Sequence, residues 1–309
     1  MIEAAGLTHH YGTQAAVQDL CLKIEAGDAF GFIGPNGAGK TTTIRILATL
    51  LEPTEGEAFV AGYSVRDDPE EVRRIMGFMP DQFGLYDGLL VWEYLDLFAE
   101  LYRIPRARRQ RLIGDVLELT DLTAKRGAFT EHLSKGMRQR LCLAKTLLHD
   151  PKVLILDEPA SGLDPRARAE LKELMRELRR MGKTILVSSH ILPELADFCN
   201  RVGILEAGRL VACGTLEEVL GRAGAETVDL RVLGNPEEAA RILNQAEGVS
   251  DVQALEEGGF RFRLMGGAAE SARLLKLLVE GGVEPCMLAP QKADLEAAFL
   301  QLTQGVGEE

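Results

Sequence analysis

Eight residues decide most of what this chain can become: Gly34-Pro35-Asn36-Gly37-Ala38-Gly39-Lys40-Thr41. Gly34, Gly37 and Gly39 let the backbone turn where side chains would obstruct it. Successive N–H groups then converge on phosphate oxygens at a helix start, where the helix dipole favours anions. Lys40 is positioned to reach β- and γ-phosphates and the Thr41 hydroxyl to ligate Mg²⁺, with Thr42 beside them as a further nucleotide contact. Such a loop works only between a buried strand and a helix. Asp28 to Ile33 reads as the strand, and Thr42 to Leu47 has the period of the helix. Asp157 stands 117 residues beyond Lys40, at the end of the apolar run Val153-Leu154-Ile155-Leu156, with Glu158 beside it. Asp157 occupies the place of an Mg²⁺ carboxylate, leaving Glu158 as the candidate general base toward an attacking water. An open parallel sheet puts both acids at its carboxyl edge, facing the phosphates. The implied ligands are ATP and Mg²⁺.

Composition narrows the class. With 309 residues, the chain has length for one large domain and one small one, and 46% hydrophobic content supplies a core. A net charge of −12 argues against a nucleic-acid surface and against unaided adhesion to anionic lipid, so membrane contact is expected through a protein partner. Cys21, Cys142, Cys199, Cys213 and Cys286 are odd in number, widely spaced and without a CxxC, which indicates neither a disulfide framework nor a zinc site. They read as small buried residues in a reducing compartment. Met1-Ile2-Glu3 opens no basic or apolar leader, and no apolar run approaches bilayer length, so the expected location is cytoplasmic.

Strands and helices alternate from residue 1 to about 220, and after a linker at Gly221 to Ala225 the pattern restarts. Thr227 to Leu233 alternates as a strand, Asn235-Pro236-Glu237-Glu238 opens a helix, and Phe260 to Leu264 is a further strand. A helix over Ala269 to Val279, a strand near Cys286 to Leu288 and a last helix over Ala293 to Leu302 follow. The order resembles a split β-α-β sandwich, giving a small α+β domain over 226–309.

Leu133-Ser134-Lys135-Gly136-Met137-Arg138-Gln139-Arg140 resembles the signature of the ATP-binding cassette (ABC) family, a resemblance that covers roughly residues 1–220. It implies an α/β P-loop NTPase fold with a β-subdomain and a helical subdomain at about 84–150. Ser134 is also a good helix N-cap, so its local role is helix initiation. In the family, the turn holding Ser134, Lys135 and Gly136 grips the γ-phosphate of ATP held by a second subunit. The working unit implied is a dimer, expected to be of identical chains, with two ATP molecules in its interface.

Other family positions follow in order. Tyr11 matches the aromatic that stacks on adenine, the alternative being a half-buried tyrosine that ends a strand. Ser161-Gly162-Leu163-Asp164 matches a loop crossing the dimer interface, while Asp164-Pro165 is also a helix cap with proline in the first turn. His190 matches the histidine that contacts the γ-phosphate and orients the attacking water. Members carry glutamine directly after the proline of a Tyr-x-Pro-Gln stretch. Here Pro80 is followed by Asp81, with Gln82 one place later, and both are kept as candidates. Lys135 replaces a usual glycine and Met137 a usual glutamine, a variant similar to cassettes that drive exporters of drugs, polysaccharides and natural products. A C-terminal extension ending near Asp294 to Leu300 is similar to one found in that branch.

The resemblance further implies an integral-membrane permease as partner, seated on a helical insertion at about Gly84 to Thr130. Leu85, Tyr86, Leu89, Leu90, Trp92 and Tyr94 supply anchors there, although each alone reads first as helical core. Arg103, Arg106, Arg108, Arg109 and Arg111 read as a solvated helix face. The rival reading is a soluble cassette acting on nucleic acid or ribosomes. Against it stand the acidic balance, the single cassette and the lack of a heptad run. A low-turnover regulatory protein is a third reading, prompted by Asp81.

Overall fold

The computed structural model describes residues 1–82, 84–191, 195–216, 218–219, 226–255 and 258–290. Contacts divide the chain into two compact units, Met1–Leu216 and Glu217–Glu309.

In the first unit the elements run β1 (Ile2–Tyr11), β2 (Gln14–Ile24), β3 (Ala29–Ile33), α1 (Lys40–Leu47), β4 (Glu55–Val60), β5 (Tyr63–Ser64), α2 (Pro69–Ile75) and β6 (Met76–Met79). Helices α3 (Val91–Leu101), α4 (Arg106–Leu119) and α5 (Lys135–Leu147) follow. The chain then returns to β7 (Val153–Leu156), α6 (Pro165–Arg180), β8 (Thr184–Ser189), β9 (Arg201–Glu206) and β10 (Arg209–Thr215). One sheet has the order β2-β1-β4-β5 and is antiparallel; the other has the order β10-β9-β3-β8-β7-β6. In the second sheet β9-β3-β8-β7-β6 pair in parallel, and β10 closes the edge in antiparallel sense.

The strand sequences explain this division. β3, β7 and β8 are buried along their whole length, as a parallel sheet covered on both faces requires. β2 instead alternates, with Leu20, Leu22 and Ile24 inward and Cys21 and Lys23 outward. The core packs Phe30, Phe32, Ile44, Ile46, Leu47, Ile155 and Leu186 between the sheets and α1.

The same alternation corrects the expectation that all cysteines are buried. Cys142 and Cys199 are, whereas Cys21 and Cys286 are exposed and Cys213 is half-buried. Cys21 falls on the outward phase of β2, and Cys286 lies on an edge strand of the second unit. Burial also pushes the Cys142 and Cys199 thiols above their ordinary range, leaving little thiolate. A maleimide at neutral pH is therefore expected to modify Cys21 and Cys286 in the native chain and to spare Cys142 and Cys199 until it unfolds. Mass spectrometry checks this, and labelling of Cys199 at the rate of Cys21 would contradict the packing.

Between β6 and β7 the helical insertion is tied together by its own side chains. Glu93 Oε2 accepts the Leu90 N–H at 2.9 Å, closing the start of α3. Tyr94 and Leu95 are buried, while Tyr86 is 58% exposed and stacks at 6.4 Å on Phe98. Of the basic run, Arg109 is an exception to the solvated face. Its side chain is 13% exposed and spans Glu100 at 3.0 Å, Asp96 at 3.9 Å and the Ile104 carbonyl at 2.8 Å, locking α4 to α3. Arg103, Arg106, Arg108 and Arg111 are exposed.

The second unit runs β11 (Glu226–Val232), α7 (Pro236–Gln245), β12 (Val249–Leu255), β13 (Gly259–Leu264), α8 (Gly267–Glu280) and β14 (Pro285–Pro290). Its antiparallel sheet has the order β12-β13-β11-β14, a split β-α-β arrangement. Val228, Leu230, Phe260, Phe262, Leu243 and Leu278 form its core. Asn235 opens α7 in the left-handed region without a side-chain cap, so the first-turn acids Glu237 and Glu238 face the helix dipole instead. Strand β12 is absent from the sequence reading because Ser250, Asp251 and Gln253 break its apolar alternation. The predicted linker 221–225 and last helix Ala293 to Leu302 lie outside the described residues. Among the described residues no helix is long and apolar enough to cross a membrane.

Candidate active site

Parallel register brings the chemistry to one edge. Ile33 pairs with Ser189, Leu156 with Val187 and Met79 with Leu156, so β3, β8, β7 and β6 end nearly level. The residues just beyond them, Gly34, His190, Asp157 and the Pro80-Asp81 pair, therefore gather at the carboxyl edge of the sheet, where open parallel sheets bind ligands.

The loop after β3 is built for close approach. A Cβ on Gly34 would collide with the Leu205 carbonyl, and Gly39 sits at φ 98°, which an L side chain rarely adopts. Gly39 leaves α1 without a capping side chain, and no acid stands in the first turn. The helix thus begins with open N–H groups, an anion site at its positive end. Tyr11, Asn36, Gly37, Ala38, Gly39, Lys40, Thr41, Thr42, Asp81, Glu158, Ser161 and His190 line the resulting cleft of about 480 Å³ with Gln14, Ala15 and Ala16. Tyr11 is 48% exposed, its ring meeting His9 edge-on at 4.7 Å, which leaves a face for a planar base.

Lys40 is only 6% exposed. Its ammonium donates to the carbonyls of Gly34 at 2.7 Å and Pro35 at 3.1 Å and lies 3.7 Å from Glu158 Oε1. Burial lowers its pKa despite the two nearby acids, Glu158 and Asp157, which act to raise it. Asp157, 2% exposed, accepts on one oxygen from Ser188 Oγ at 2.6 Å and from Thr41 Oγ1 at 3.3 Å. A buried carboxylate and a hydroxyl converging at a phosphate-binding helix start form an all-oxygen donor set of the kind that suits Mg²⁺. Thr41 and Asp157 would hold that ion.

Glu158 stands at φ 48°, unusual for a residue with a side chain and costing on the order of 1–3 kcal/mol. Its N–H is fixed by Ser188 Oγ at 2.9 Å, and His190 Nδ1 lies 2.9 Å from Glu158 Oε2. A carboxylate only accepts, so Nδ1 carries the hydrogen and Nε2 is the other ring nitrogen at the cleft. Ser188 was not a sequence candidate. Its one hydroxyl donates to Asp157 and accepts from Glu158, and only the Ser188-Ser189 pair before His190 hinted at it.

Asp81 and Gln82 part company. Both border a second cleft of about 800 Å³ with Lys135, Arg138, Gln139 and Ser161, but only Asp81 also borders the phosphate cleft. Ser134 caps α5 by accepting the Met137 N–H at 3.3 Å, and Asp164 caps α6 by accepting the Ala167 N–H at 2.9 Å. Gln139 donates to the Pro159 carbonyl, joining α5 to the loop after Glu158. Within one chain, Ser134 and Gly136 are absent from the lining of the Lys40 cleft.

A profile of the ABC transporter family matches residues 17–161. The bacitracin transport ATP-binding protein BcrA of Bacillus licheniformis is 33% identical over 310 residues, 99% of this chain and 98% of its own length. An uncharacterized ABC transporter ATP-binding protein of Synechocystis, sll0415, is 38% identical over 227 residues, 72% of this chain but 63% of its own length. Among solved structures, the dimeric form of the bacterial ABC transporter cassette MJ0796 is similar at a TM-score of 0.64 and 28% identity, covering 70% of this chain and 99% of that one.

Proposed function

Since this chain belongs to the ABC transporter family as an ATP-binding, ATP-hydrolysing subunit, we propose that it pairs with a second cassette, an identical copy, and drives export through a separate membrane permease. The observation that carries this reading is the convergence of Lys40, Glu158 and His190 in one cleft, at 3.7 and 2.9 Å from the Glu158 carboxylate. Tyr11 stacks on the adenine, the loop from Gly34 to Thr42 wraps the phosphates, and Lys40 turns from Glu158 toward the β- and γ-oxygens. Thr41 and Asp157 would hold Mg²⁺, which would supply neutralisation of phosphate charge.

The water attacks the γ-phosphorus, and Glu158 takes its proton. The bond from the γ-phosphorus to the β–γ bridging oxygen breaks, so ADP leaves with that oxygen and inorganic phosphate carries the water's. His190 keeps the Glu158 carboxylate oriented through Nδ1–H, and Ser188 holds both acids in register. The absence of Ser134 and Gly136 from the chain's own phosphate cleft supports a site completed in trans, as does the likeness to a dimeric cassette. With Asp164 at the crossing loop, ATP would join two chains and hydrolysis part them. Closure would draw the helical insertions inward and turn the permease. The likeness to proteins named for bacitracin transport and daunorubicin resistance, together with the Leu-Ser-Lys-Gly-Met variant, supports export and a peripheral position on the cytoplasmic face of the membrane.

The test is to tag a Glu158→Gln chain, solubilise host membranes in mild detergent with Mg-ATP, and identify what co-purifies. A polytopic membrane protein in stoichiometric amount is the expected result. Recovery only from the soluble fraction, with ribosomes or nucleic acid, would reject the transporter reading.

A further inference from the structure

We propose that Lys135 is a positioning residue whose charge offsets Asp81, the two forming a compensated pair across the cleft between the start of α5 and the end of β6. The proposal rests on the reading of the Lys40 cleft as an ATPase site. Asp81 and Lys135 carry opposite unit charges, so the pair together adds no net charge beside the site.

Geometry links the two positions. Asp81 and Ser161 are the residues common to the phosphate cleft and the second cleft, so Asp81 forms part of the wall between them. On one side it adds negative charge to a neighbourhood that already holds Glu158 and must accept a triphosphate. On the other side it shares its cleft with Lys135. The lysine's ammonium lies beside Gly162, at φ 67°, where a Cβ would meet it. The ammonium fills the space that this glycine leaves and lies over the loop running from Glu158 to Asp164. Burial, then Asp157 and Glu158, push the Asp81 pKa upward, and Lys135 is the foremost opposing charge, followed by His190.

Lys135 would thus keep Asp81 from repelling the phosphates. Mg-ATP turnover and nucleotide-free unfolding midpoints should be measured for the wild type, Lys135→Gln, Asp81→Asn and the double variant, with Lys135→Arg as the charge-retaining control. In the Asp81 background, Lys135→Gln is expected to lower kcat/KM about fivefold, since both side chains are exposed and their charges partly screened. In the Asp81→Asn background the same change is expected to cost less than about twofold, the mark of coupled neighbours. Lys135→Arg should recover most of the loss. The midpoint should fall by about 2 °C on Lys135→Gln only where Asp81 is present. An equal factor in both backgrounds would overturn the proposal and leave Lys135 a contact to the partner alone. If the wild type shows no turnover, the ATPase reading falls, and the coupling in unfolding midpoints decides the pair.

Discussion

Replacing Glu158 by glutamine is expected to lower ATP turnover by about 10²- to 10⁴-fold while leaving ATP bound, the loss typical of a missing general base. Glutamine keeps the shape of the side chain and can still meet His190, whose Nδ1 lies 2.9 Å from the carboxylate in the native chain. It cannot take a proton from water. Nor does the change disturb the phosphate cradle, because the loop carbonyls that hold Lys40 at 2.7 and 3.1 Å belong to Gly34 and Pro35. Loss of the negative charge beside the γ-phosphate favours the loaded state, so the variant should accumulate ATP-bound dimers. Turnover by colour assay and size by light scattering, each with and without Mg-ATP, check both halves. Turnover within threefold of wild type would remove Glu158 from its role, and monomers at saturating ATP would remove the trans site.

Much of this site was legible in the sequence because its parts are contiguous. Gly34 to Thr41 needs one loop, and Val153 to Glu158 needs one strand end, so local chemistry and local structure agree. Ser134 and Asp164 were legible as caps for the same reason, and both bond the N–H three residues on. What escaped depends on distance in sequence. Ser188 joins Asp157 and Glu158 across 31 and 30 residues, and no spacing rule points a strand serine at an acid two elements away. Arg109 carries the pattern of a solvated helix face, yet the chain turns it between α3 and α4 because Asp96 and Glu100 wait there. That Asp81 borders both clefts and Gln82 only one was likewise beyond the sequence, since adjacent residues at a strand end are equal in composition terms. In β12 the polar residues hid a strand that pairing with β13 supplies. The fold of the large unit was implied by the family its motifs resemble, and the split β-α-β order of the small unit was legible from its other strands and helices even with β12 unread.

Lys40→Met is expected to abolish the stabilisation that Mg-ATP gives while changing the nucleotide-free chain little. At one hundred times its dissociation constant a ligand adds about 2.7 kcal/mol, which raises the unfolding midpoint of a domain of this size by roughly 5–10 °C. Removing the ammonium proposed to meet the β- and γ-oxygens should weaken binding about a hundredfold or more, and at the same ATP concentration the shift then falls to about 1 °C. The nucleotide-free chain moves less because two effects oppose. Methionine strips Glu158 of a cation 3.7 Å away, which destabilises, but it also ends the burial of a charge, which stabilises. The balance depends on pH with a definite sign. The folded pKa of Lys40 is lowered from its ordinary 10.5, chiefly by burial. The folded state therefore disfavours the proton. That cost is fully present below the folded pKa and is relieved as pH rises from there toward the unfolded value. Wild type should consequently gain stability relative to Lys40→Met on moving from neutral to alkaline pH without nucleotide. Differential scanning fluorimetry across that range, with and without Mg-ATP, reads both effects. An ATP-induced shift in the variant equal to wild type would show that Lys40 does not hold the phosphates, and a relative loss of wild-type stability at alkaline pH would show that its burial is not what sets its proton affinity.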